Sequence, residues 1–185
     1  VGCPLRPGIA AGDRAAALTA FGLDPGRRTL LVFGGSQGAR SINQAVTALL
    51  DGGRLGPFAD AWQVLHIVGP GQGGQRQGEQ IPKLPEARDH ADTGDVAFRY
   101  PSPHGPPVAR LEYCRRMDLA YAAAEVAVCR GGAVTVAELA ATGTPAVVLP
   151  YPYHADRQQR LNAQPLENAG AAVILDDRID PAANA

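Results

Sequence analysis

Residues 129–138 read C-R-G-G-A-V-T-V-A-E, and residues 156–162 read D-R-Q-Q-R-L-N. An apolar run ending at Cys129 meets two glycines and then a helical pattern. A junction of this kind presents bare N–H groups and the positive end of a helix to an anion. Glu138 falls one turn inside that helix, where a carboxylate can accept from a hydroxyl beside the anion. Gln158 and Gln159 add neutral amides, which suit sugar hydroxyls better than charges do. Phosphate, ribose and sugar together point to a nucleotide sugar.

Each of these features also has a plainer account. The loop G-G-S-Q-G-A-R at 34–40 lets a backbone approach phosphate, and Ser36 can donate a hydroxyl to it. It lacks the Lys-Ser/Thr ending of a P-loop, and its glycines at 34, 35 and 38 do not fit G-x-G-x-x-G. A tight strand-to-helix turn with a serine cap fits equally well. Thr135 and Glu138 have capping-box spacing, in which the carboxylate only satisfies a backbone N–H. If the helix begins at Gly131-Gly132-Ala133 instead, Thr135 and Glu138 lie inside it and are open to a ligand. Gln158 and Gln159 also fit a solvated first turn behind an Asp156 N-cap, and Arg6 is either a phosphate clamp or an exposed arginine.

His66, in an apolar strand, reads as a satisfied core histidine, and His154 as a structural one. His90 and His104 carry no signal, and no set of residues has metal-ligand spacing. No nucleophilic serine elbow, carboxylate dyad or Cys–His pair is present, so no catalytic residue and no metal are expected in this chain.

The elements that must position these residues follow from periodicity. Near-continuous apolar runs at 29–33, 63–68, 126–129, 146–149 and 171–175 read as strands, with 108–113 as a sixth. Helical spacing covers 41–50, 116–124, 133–142 and 156–169, with Gly143 and Gly170 as stops. Pro165 is expected to kink or divide the last helix. Alternating strands and helices predict an α/β fold, a Rossmann-like parallel sheet with flanking helices. The loops 34–40, 130–132 and 151–156 then gather at the carboxyl edge of the sheet, where ligands bind. Residues 71–107 are rich in Gly, Gln, Pro and charge, and read as a surface insertion.

The 185 residues carry 17 Lys and Arg against 18 Asp and Glu, which gives no electrostatic case for nucleic acid. Cys3, Cys114 and Cys129 have no paired spacing and read as reduced thiols in a cytoplasmic protein. No apolar run approaches the roughly 20 residues that span a bilayer. No leader is recognisable, and Val1 in place of an initiator methionine reads as a piece of a longer chain.

Taken together, G-G-S-Q-G-A-R-S-I-N at 34–43, the 129–138 segment and D-R-Q-Q-R-L-N-A-Q-P-L-E-N-A-G-A-A at 156–172 resemble the MurG family of bacterial glycosyltransferases. The opening V-G-C-P-L-R is similar to that family's G-N-P-x-R segment, and the match spans most of the chain outside 71–107. The resemblance implies the C-terminal half of a GT-B glycosyltransferase, a UDP-sugar donor domain over 1–185, with the N-terminal acceptor domain absent. It implies UDP-GlcNAc as donor, lipid I (undecaprenyl-diphospho-MurNAc-pentapeptide) as acceptor through the missing domain, and lipid II of peptidoglycan synthesis as product. It implies no metal or cofactor, no nucleic acid, and peripheral contact with the inner face of the cell membrane. Arg6 and Ser36 would meet the diphosphate, and Ala133, Val134 and Thr135 would line the diphosphate and sugar. Glu138 would hold the ribose, the backbone at Cys114 the uracil, and Gln158 and Gln159 the N-acetylglucosamine. Two departures are Cys3 in place of the family's Asn, and Cys114-Arg115-Arg116 in place of a more acidic segment. A GT-B transferase with another acceptor, such as diacylglycerol or an aglycone, and a non-catalytic UDP-binding module remain the alternatives.

Overall fold

A computed structural model describes residues 3–51, 58–71, 98–100, 105–153 and 155–178. The first strand, β1 (Arg28–Phe33), shows why the chain layers as it does. Its side chains alternate between two cores. Leu31 and Phe33 pack with the helices α1 (Arg14–Ala20) and α4 (Met117–Ala123), while Val32 packs with Ile42 and Val46 of α2 (Arg40–Asp51). A strand covered on both faces needs an almost continuous apolar run, and 29–33 supplies one.

The remaining elements are α3 (Phe58–Ala61), β2 (Trp62–Ile67), β3 (Phe98–Tyr100), β4 (Val108–Leu111), β5 (Val126–Cys129), α5 (Ala133–Thr142), β6 (Ala146–Val148), α6 (Gln158–Asn168) and β7 (Ala172–Ile174). They form one sheet in the order β3-β4-β2-β1-β5-β6-β7. All neighbours are parallel except β3, which runs antiparallel to β4. Without β3, the strand order is that of a doubly wound Rossmann sheet, and its switch point lies between β1 and β5. Phe33 pairs with Cys129 there, so the loops that follow both strands open side by side.

The α/β expectation holds, with local corrections. The last parallel strand before α4 ends at Leu111, earlier than the expected 113. The sequence reading missed α1, whose N-cap Asp13 accepts from the Ala16 N–H at 2.7 Å, and the four-residue α3. Within 71–107, Phe98–Tyr100 supplies the antiparallel edge strand, while 72–97 and 101–104 lie outside the described residues. Pro165 does not divide α6, which runs unbroken from Gln158 to Asn168. A proline costs its own N–H, but the Ala169 N–H still donates to the Pro165 carbonyl at 3.1 Å. Gly143 and Gly170 end their helices as expected, both with positive φ.

Candidate functional site

A cleft of about 520 Å³ opens over the switch point. It is lined by Arg6, Ser36, Cys114, Ala133, Val134, Thr135, Glu138 and Gln159, among others. Eight of the nine expected site residues therefore share one cavity, and Gln158 is the one left out.

The β1–α2 loop forms one wall. A Cβ on Gly34 would stand 2.1 Å from the Ala39 nitrogen, and one on Gly38 would stand 2.1 Å from the Val68 carbonyl oxygen. The loop must therefore stay glycine-rich to fold back on itself. Ser36 is exposed at its tip, and α2 begins only at Arg40, so Ser36 is not a helix cap.

The β5–α5 junction forms the floor. Gly132 is the N-cap of α5, with φ −64 and ψ 145, and it has no side chain to close the helix end. The intrahelical ladder starts with the Val136 N–H donating to the Gly132 carbonyl at 2.9 Å. Ala133, Val134 and Thr135 thus occupy the first turn on the cleft wall, where helix N–H groups have no intrahelical acceptor. The capping-box alternative fails because Thr135 sits inside the helix, not ahead of it.

Glu138 lies one turn deeper and is 2% exposed. The Tyr121 hydroxyl donates to its Oε2 at 3.0 Å. Burial, reinforced by the Glu138 carboxylate, holds the Tyr121 phenol far above its ordinary range, so it remains a donor. Glu138 Oε1 is buried without a hydrogen-bond partner, although Arg6 Nε lies 3.3 Å away as an ion pair. Proximity is not alignment, and the guanidinium N–H does not point along the bond. A buried carboxylate oxygen facing a cleft without a directed donor is an acceptor for a ligand hydroxyl.

The N-terminus of α6 packs against the same junction. Asn162 Nδ2 donates to the Gly131 carbonyl at 3.1 Å, and a Cβ on Gly131 would stand 2.2 Å from the Gln159 carbonyl oxygen. The Tyr151 N–H donates to Gln159 Oε1 at 2.9 Å, which fixes the amide at the cleft. Gln158 is exposed and donates to Asn162 Oδ1 at 3.0 Å, so it braces its own helix. Asp156 is not the N-cap. That position belongs to Arg157, at φ 50, while Asp156 Oδ1 accepts from the Gln158 N–H at 3.1 Å.

On the opposite wall, Cys114 is buried beside Tyr113 and Met117. Arg116, part of the departure from the family's acidic segment, chelates Asp118 at 2.9 and 2.7 Å. That arginine holds the Asp118 carboxyl below its usual range.

Two residues escaped the sequence reading. Tyr121 falls within the expected 116–124 helix and Arg130 within the 130–132 loop, and neither is among the expected site residues. Arg130 donates to the Leu149 and Pro150 carbonyls and to Ser41 Oγ, and pairs with Asp177 at 2.7 Å. It ties the β5, β6 and β7 ends together beneath the cleft. An arginine directly after an apolar strand was the available signal.

His66 is a satisfied core residue, with Nε2 2.9 Å from Asn43 Oδ1. Asn43 donates its own amide to the Val68 carbonyl, so its oxygen accepts and His66 Nε2 carries the proton. Burial, with Arg110 nearby, lowers the His66 pKa to about 3. Burial raises the Cys129 thiol to about 12, so it is an inert apolar group. His154, His90 and His104 lie outside the described residues. Among the described residues, no group of three or more His, Cys, Asp and Glu side chains could hold a metal ion.

The glycosyltransferase family 28 C-terminal domain matches residues 29–181. The chain belongs to this family. It is 46% identical over 183 residues to the UDP-N-acetylglucosamine–N-acetylmuramyl-(pentapeptide) pyrophosphoryl-undecaprenol N-acetylglucosamine transferase of Acidothermus cellulolyticus, covering 96% of this chain and 43% of that protein. The namesake enzyme of Streptomyces avermitilis is 43% identical over 183 residues, covering 96% of this chain and 42% of the relative. The chain therefore spans less than half the length of these curated relatives. Among solved structures, Acinetobacter baumannii MurG superposes with a TM-score of 0.59 at 23% identity, covering 91% of this chain and 42% of that one. The family 28 domain has the fold of the C-terminal half of a GT-B glycosyltransferase.

Proposed function

We propose that this family 28 domain binds the donor in an enzyme that moves N-acetylglucosamine from UDP-N-acetylglucosamine to undecaprenyl-diphospho-N-acetylmuramoyl-pentapeptide, forming lipid II. The observation that carries the donor half is Glu138 Oε1, a buried acceptor without a hydrogen bond, on a residue that lines a cleft beside the open first turn of α5. Ribose hydroxyls match the first and a diphosphate the second. The acceptor half rests on the names of the relatives.

In this reading the acceptor C4 hydroxyl oxygen attacks the anomeric carbon, and the bond from that carbon to the diphosphate breaks. UDP leaves with the electron pair, and the hydroxyl proton passes to a base outside this chain. The chain's task is to stabilise charge growing on the leaving diphosphate through the α5 N-terminus, Arg6 and Ser36. Because these groups carry that task, a chelator should leave donor binding unchanged. In this reading the enzyme meets its lipid-linked acceptor as a peripheral protein at the inner membrane face. Among the described residues no helix is long and apolar enough to cross a membrane. Nothing in the charge balance favours nucleic acid.

Calorimetric titration with UDP-N-acetylglucosamine, UDP-glucose, UDP and a GDP-sugar tests the donor half. Tightest binding of UDP-N-acetylglucosamine is expected. Equal binding of all uridine ligands would favour another acceptor or a plain nucleotide module, and no binding by folded protein would overturn the site. Transfer to the lipid acceptor is expected only when this chain is part of a protein that includes an acceptor domain. Full turnover by the chain alone would overturn that division of labour.

A further inference from the structure

Arg6 and Glu138 are an unequal pair. The Arg6 side chain is 51% exposed and that of Glu138 3%, with Nε and Oε1 3.3 Å apart. Charge alone holds them, because Oε1 receives no hydrogen bond. Taking a carboxylate out of water is costly unless a charge or a donor compensates it, and here an arginine reaching in from the surface supplies the charge. Arg6 also shares the cleft with Ser36 and the first turn of α5, where a diphosphate would sit. A guanidinium binds phosphate oxygens in aligned, two-pronged geometry, which its contact with Glu138 lacks.

We propose that Arg6 is a specificity-determining switch: its guanidinium covers Glu138 Oε1 until a diphosphate draws it away, and that oxygen then accepts from a ribose hydroxyl. The switch rests on the reading of the cleft as a nucleoside diphosphate site. Its consequence is discrimination against unphosphorylated nucleosides, which must displace the guanidinium with nothing to receive it. Nucleoside and anion therefore bind with positive coupling, and each tightens the other by the same factor.

The test titrates the protein with uridine, with and without saturating inorganic pyrophosphate, and separately with UDP. Pyrophosphate is expected to tighten uridine by about 5-fold or more, the lower bound of usual coupling between sites. Arg6→Met should abolish the coupling, tighten uridine measured alone and weaken UDP. Opposite signs for two ligands cannot arise from a general loss of structure, and the wild-type arm needs no variant. Pyrophosphate that leaves uridine unchanged or weakens it overturns the switch, as does Arg6→Met weakening both ligands. So does UDP binding while uridine stays undetectable even with pyrophosphate. Folded protein that binds neither UDP nor uridine overturns the donor-site reading and the switch with it.

Discussion

Tyr121 and Glu138 divide a buried carboxylate into two unlike halves. The phenol donates to Oε2 at 3.0 Å from the core side, which leaves Oε1 turned toward the cleft. One oxygen is anchored and the other is offered, and the anchor sets where the offered one points.

Removing the anchor should therefore affect both folding and binding. Tyr121→Phe keeps the ring, which stacks edge-on with Phe33 at 6.0 Å, but deletes the phenol's hydrogen bond to Oε2. A hydrogen bond to a charged group is worth about 1.5–3 kcal/mol. Urea denaturation should show a loss of that order, and UDP titration of the folded fraction should show weakened affinity. A variant of wild-type stability and affinity would mean that Glu138 is held by packing alone.

Glu138→Ala should weaken UDP-N-acetylglucosamine by roughly 1–3 kcal/mol, the usual cost of a lost charge-assisted hydrogen bond. Because α5 begins at Ala133, Glu138 caps nothing and helix content should not change. Calorimetry on protein of verified fold separates this outcome from a stability defect. Unchanged affinity would remove Glu138 from the site.

His66 predicts an acid-sensitive core. Its folded pKa is about 3 against an ordinary 6.5. Above pH 6.5 both states hold it neutral, and its burial costs nothing in protons. As pH falls below 6.5 the unfolded chain takes up a proton that the folded chain refuses, so stability drops until about pH 3. Urea midpoints across that window should fall more steeply for wild type than for His66→Gln, which keeps an amide donor for Asn43 without titrating. Parallel slopes would show that His66 does not govern acid unfolding.

What the sequence showed and what it hid follow from range. β1 and β5 were legible because a strand buried on both faces needs an unbroken apolar run. Ser36, Thr135, Glu138 and Gln159 were legible because glycines and polar first turns at strand ends mark the carboxyl edge of such a sheet, whereas Cys114, Ala133 and Val134 came only with the resemblance to the family. Gln158 lies off the cleft while Gln159 lines it because neighbours on a helix diverge by about 100°, and the sequence does not say which one faces inward. Tyr121 and Arg130 were missed because their partners, Glu138 and Asp177, are 17 and 47 residues away, a pairing that only the fold creates. Asp156 has the right type for a cap, but the turn into α6 places Arg157 at that position in a left-handed conformation.

The Arg130–Asp177 pair should behave as a buried ion pair that is costly to break and cheap to replace. Its side chains are 10% and 1% exposed. Arg130→Met takes the guanidinium from Asp177, which keeps the Ser41 hydroxyl at 2.7 Å, and strips donors from the Leu149 and Pro150 carbonyls. A loss of about 3–5 kcal/mol is expected, the usual result of removing one partner of a buried ion pair. Adding Asp177→Asn to Arg130→Met removes the buried negative charge that the guanidinium balanced, so the double variant should recover part of that loss. Thermal or urea unfolding of the four proteins closes the cycle. If Arg130→Met and Asp177→Asn are additive, the two side chains are not coupled, and Arg130 acts through its bonds to the Leu149 and Pro150 carbonyls after β6 instead.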